Sequence, residues 1–138
     1  MNVKDLSLPA KPDSFGEDYK FPEDMTRLSN EQLSGLMSRL AAYKGYVLFL
    51  LALEEVNRRR CENALRIAKS EIFISKDDGK RTQKSINEEI ANLPEVKDIA
   101  EKLEWHETSI ILYTHLKDIY QGHIEVLSRD ISRRGIRL

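Results

Sequence analysis

Cysteine is almost absent from this 138-residue chain: Cys61 is alone, so no disulfide can form within one molecule, and no cysteine pair is available for zinc or redox chemistry. Its charged neighbours, Arg60 and Glu62, mark it as an ordinary thiol on an apolar stripe and point to a reducing, cytoplasmic setting. Long apolar runs are missing too. The longest, Val47 to Leu53, is seven residues against the ~20 that span a bilayer, and the first ten residues have no apolar signal-peptide core, so no membrane partner is expected. No phosphate-binding glycine loop, no dinucleotide fingerprint and no H-E-x-x-H zinc motif occurs. His106 and His115 are nine residues apart, on opposite sides of a helix, and no Glu-x-x-His motif precedes His106, His115 or His123. The chain is therefore read as a binding protein, not an enzyme, with no metal and no cofactor.

What remains is globular in composition, 41% hydrophobic and 33% charged, and long enough for one ordinary domain. Residues 1–28 carry Pro9, Pro12, Pro22 and Gly16 and no helical or strand period, which predicts an N-terminal arm. Its Phe15, Tyr19 and Phe21 are spaced anchors, either for the chain's own core or for a groove on a neighbour. Residues 29–138 form the helical domain.

Ser29 followed by Gln32 is a capping box, and Leu28 can staple onto Leu33. From there Leu33, Leu36, Leu40, Tyr43, Val47, Leu50 and Leu51 recur at threes and fours, predicting a helix over 29–75, roughly 70 Å long. Ile72-Phe73-Ile74-Ser75 has strand propensity but no partner strand, so it is assigned to the helix end. Asp77-Asp78-Gly79 is the stop. A second capping box, Ser85 with Glu88, predicts a two-turn helix starting near Ser85. A last helix opens at Asn92 with Pro94 in its first turn and runs to Ser132, carried by Val96, Ile99, Leu103, Ile110, Tyr113, Tyr120, Ile124, Leu127 and Ile131 in a near-heptad, coiled-coil-like register. Trp105, Tyr113 and Tyr120 are read as packing residues. The expected fold is all-α: two long helices in an antiparallel hairpin joined by a short connecting helix. Their apolar arcs are too wide for one partner, which predicts a helical homo-oligomer.

Net charge is only −1, from 22 Lys and Arg against 23 Asp and Glu, but it is unevenly distributed. Residues 58–84 hold nine cations and four carboxylates, whereas residues 85–128 hold three cations and nine carboxylates. The candidate nucleic-acid-binding residues come from the basic block: Arg58, Arg59, Arg66, Lys69, Lys76, Lys80, Arg81 and Lys84. In the connector, Thr82 and Ser85 add hydroxyls, and a helix start near Ser85 would add free N–H groups for a phosphate. Such contacts read backbone, not base sequence.

The stretch KRTQKSINEEIANLPEVKDIAEKLEWHETSIILYTHLKDIYQGHIEVLSRDISRR, with ENALRIAKSEIF before it, resembles the UvsY-like recombination mediators of tailed phages in its order of long helix, basic loop and long helix. The resemblance covers roughly residues 60–134. It implies an oligomeric single-stranded DNA-binding accessory protein that helps load a RecA-like recombinase onto strands coated by single-strand-binding protein, with DNA contacts matching Arg66, Lys69, Lys80, Arg81 and Lys84. The alternative reading is a helical structural or assembly adaptor, of phage scaffold or connector type, that binds protein and no DNA.

Overall fold

A computed structural model describes residues 8–16 and 19–136. Among them every regular element is helical: a 3₁₀ turn at Met25–Arg27, then α1 (Asn30–Lys76), α2 (Gln83–Ala91) and α3 (Pro94–Arg134). α1 and α3 pack in hairpin fashion and α2 is the short connector. The contacts divide into two compact units, one made of residues 1–51 and 112–138 and the other of residues 52–111.

α1 begins where its cap chemistry places it. Ser29 N donates to Gln32 Oε1 at 2.9 Å and Gln32 N donates to Ser29 Oγ at 3.1 Å, a reciprocal capping box that satisfies two otherwise orphaned donors. The helix then runs unbroken for 47 residues and takes in the Ile72–Ser75 segment. It contains an 18-residue window of mean hydropathy 1.4, long and apolar enough to cross a bilayer by length and composition. The same helix buries Leu33, Leu40, Tyr43 and Val47 inside the protein.

Two helix starts differ from the sequence expectation. α2 is capped by Thr82, whose Oγ1 accepts from Ser85 N at 3.1 Å, so the helix opens at Gln83 and Ser85 lies inside its first turn. Asn92 does not open α3. It closes α2, its Nδ2 donating to the Glu88 carbonyl at 2.9 Å, and Pro94 is the first residue of α3. Proline fits there because its missing N–H falls among the unpaired donors of a helix start.

In the first unit, Leu33, Leu40, Tyr43 and Val47 of α1 meet Tyr120, Leu127 and Ile131 of α3 in one buried cluster. The two segments are antiparallel: Lys44 Nζ donates to Gln121 Oε1 at 2.5 Å, and the Arg134 guanidinium donates to the carbonyls of Leu28 and Met25 at 2.6 and 2.7 Å. The described residues of the arm pack within this unit through their aromatics. Phe15 meets Tyr43 and Tyr46 edge-on, Tyr19 meets Tyr43 and Tyr120, and Phe21 stacks on His123 with ring centroids 4.1 Å apart. Burial, reinforced by Tyr120 and Tyr43, pushes the Tyr19 hydroxyl up to about 12. Asp130 is buried beside Arg133 and Arg134. Its Oδ2 lies 2.9 Å from Arg134 Nε, an ion pair without hydrogen-bond alignment.

His123 carries a testable pH dependence. Burial lowers its pKa below 6.5, so the folded protein favours the neutral ring. Stability from that preference is fully present above pH 6.5 and is lost as pH falls from there through the lowered folded-state value. The carboxylates held low by hydrogen bonds, Asp24, Asp78 and Glu89, respond only below their ordinary values of 3.8, 3.8 and 4.5. Thermal melts at about pH 7.5 and about pH 5.5 should therefore show a lower Tm in acid, and His123→Gln should flatten the difference.

In the second unit, Ile86 and Ile90 of α2 and Val96 of α3 form a smaller buried cluster with Leu65, Ile72, Phe73 and Leu93 around it. His106 Nδ1 lies 2.5 Å from Glu54 Oε2, both side chains about one-fifth exposed (20% and 17%). Trp105 departs from the packing role expected of it: it is 69% exposed.

Candidate nucleic-acid interface

All eight cations expected to contact nucleic acid, Arg58 to Lys84, fall within the second unit, but they are not equivalent there. Three are held by carboxylates. Arg58 Nη1 pairs with Glu62 at 2.7 Å, one helical turn away. Lys76 Nζ reaches Glu89 Oε1 at 2.8 Å, and Arg81 pairs with Oε2 of the same carboxylate. Glu89 thus clamps two cations at once, and their hydrogen bonds, Lys76 first, hold its carboxyl below the usual range. The other five, Arg59, Arg66, Lys69, Lys80 and Lys84, are exposed, and among the described residues none has a carboxylate partner.

The backbone donors of the connector are less available to an anion than the sequence suggested. Gly79 N donates to Asp77 Oδ1 at 3.1 Å, and Lys80 N and Arg81 N both donate to Asp78 Oδ1, at 2.9 and 3.2 Å. The turn closes on Gly79 at φ +73°, a left-handed conformation that glycine adopts without strain. Ser85 N is taken by Thr82. These donors already face oxygens of the chain itself, so a phosphate would be met chiefly by side chains.

Two shallow recesses adjoin these side chains. One, of about 350 Å³, is lined by Glu62, Leu65, Arg66, Lys69, Ser70 and Leu103. The second, of about 420 Å³, is lined by Lys69, Ser70, Phe73, Ile74, Gln83 and Asn87. Lys69 and Ser70 line both. On α1, residues 66, 69, 70, 73 and 74 share one face by their three- and four-residue spacing. Gln83 and Asn87 sit one turn apart on α2. The charge pattern pointed to Arg66 and Lys69. It passed over Gln83 and Asn87, whose signal was two carboxamides four residues apart, flanking the buried Ile86 and Ile90 stripe of α2.

Neutralising Glu89 should expose the two clamped cations. Glu89→Gln is expected to raise affinity for a single-stranded oligonucleotide and to steepen the slope of log K against log salt by up to about 1.4, for two added contacts at about 0.7 each. Anisotropy titrations at several salt concentrations would measure this.

No family model, no curated protein and no solved structure matches the chain.

Proposed function

We propose that this chain is a single-stranded DNA-binding accessory protein that grips strand phosphates with the second unit and performs no catalysis of its own. One observation carries the proposal: five exposed cations without carboxylate partners, Arg59, Arg66, Lys69, Lys80 and Lys84, lie on or between two helices that share a recess, in a chain whose net charge is only −1. Local clustering can hold a polyanion where the summed charge would not. The likeness of residues 60–134 to UvsY-like mediators sharpens the role to recombination and repair, with a RecA-like recombinase and a single-strand-binding protein as partners.

Self-association belongs to the same proposal. In the first unit, Leu112, Ile119 and Val126 recur every seven residues on α3 and are 63%, 51% and 40% exposed. Such a stripe is a seam for another helix. A second copy covering it would bring further basic patches to the same strand. The stripe also favours a second reading, a helical assembly adaptor that docks proteins and no DNA. Size exclusion with light scattering, run with and without an oligonucleotide of about thirty bases, separates the two readings. The proposal expects an oligomer that retains the strand at about 50 mM salt, and the adaptor reading expects an oligomer that does not.

A further inference from the structure

The recess between α1 and α2 has a lining that phosphate binding alone does not explain. A phosphate site needs cations and N–H donors. Here one ammonium, Lys69, stands beside the phenyl ring of Phe73, the side chain of Ile74 and two carboxamides, Gln83 and Asn87. Ile74 is 76% exposed, the most exposed large hydrophobic residue among those described. Gln83 and Asn87 are exposed and, among the described residues, their amides make no hydrogen bond. A carboxamide presents a donor and an acceptor side by side, which is the pattern on the edge of a nucleobase. Aromatic and aliphatic side chains offer the apolar contact that the face of an unstacked base requires. The volume, about 420 Å³, falls in the range of small-ligand sites.

We infer that this recess receives one unstacked base of a bound single strand. Phe73 and Ile74 lie against the face of the base and the Gln83 and Asn87 amides pair with its edge. Lys69, which lines this recess and its neighbour, holds the adjoining phosphate, and Arg66 in the neighbouring recess holds the next. The inference rests on the nucleic-acid reading and adds to it: binding depends on the presence of bases as well as on strand charge. Only a strand with free bases can supply the group, so the same feature selects single strands over duplex.

The test compares two strands of equal length, about thirty nucleotides, one of mixed sequence and one of abasic deoxyribose phosphate, binding to the full chain at about 50 mM salt. The wild type should bind the strand with bases about tenfold more tightly than the abasic strand. Gln83→Ala combined with Asn87→Ala should reduce that ratio to about twofold. Its slope of log K against log salt should match the wild type, because every cation remains. Phe73 is left intact because it packs beside Ile86 and Ile90, and circular dichroism of the double variant should show unchanged helix content. Equal affinity of the wild type for both strands, or a preference that survives in the double variant, overturns the base-binding role while leaving the phosphate reading in place. Retention of neither strand by the wild type overturns both.

Discussion

Replacing Arg66, Lys69, Lys80 and Lys84 together by alanine is expected to weaken binding of a mixed-sequence single strand by at least about a hundredfold at ~50 mM salt. Each cation that neutralises a phosphate on a single strand releases about 0.7 of a counterion, so four lost contacts should flatten the log–log salt slope by about 2.8. The loss should be uniform across sequences, since phosphate contacts carry no base information. Stability should hardly change, because all four side chains are exposed and without ion-pair partners among the described residues. Arg81 is left out of this set. Its guanidinium is occupied by Glu89, and Arg81→Ala would leave Lys76 still paired with that carboxylate, so the substitution removes a held cation and not a free one.

The second large effect is on folding. Leu127 is fully buried, at 0% exposure, in the cluster formed by Leu33, Leu40, Tyr43, Val47, Tyr120 and Ile131. Truncation to alanine removes buried methyl groups and leaves a cavity that packed neighbours close only in part. The expected cost is about 2–5 kcal/mol, read from denaturant unfolding at fixed protein concentration. Leu112, on the same helix but 63% exposed, is the control. Leu112→Ala should stay within about 0.5 kcal/mol if the stripe faces water. A larger loss that shrinks on dilution would indicate that a second copy covers the stripe.

The features that were legible in sequence were local ones. The Ser29–Gln32 box needs only residues three apart, and it forms as expected. The three- and four-residue apolar spacing also identified both long helices, since a helix facing a core must repeat that way. Where two residues competed for one role, sequence alone did not decide. Thr82 and Ser85 are both good caps, and only the path of the chain after Gly79 makes Thr82 the one whose hydroxyl meets a free N–H. Asn92 suits either helix end, and it closes α2 because Pro94 already supplies the start of α3. Interactions between distant residues left no sequence signal. Lys76 and Arg81 converge on Glu89 from thirteen and eight residues away, and Arg134 reaches carbonyls more than a hundred residues back in the chain. These contacts divide the basic block into held and free cations, a division that net charge by segment does not show.

The most decisive experiment is a salt titration of the unmodified protein with a labelled single strand of about thirty bases. Five free cations at about 0.7 each predict a straight line of log K against log salt with a slope near −3.5, beginning from clear binding at about 50 mM. No binding at that salt, or an affinity that stays level as salt rises, would contradict the assignment of Arg59, Arg66, Lys69, Lys80 and Lys84 to the backbone of a nucleic acid.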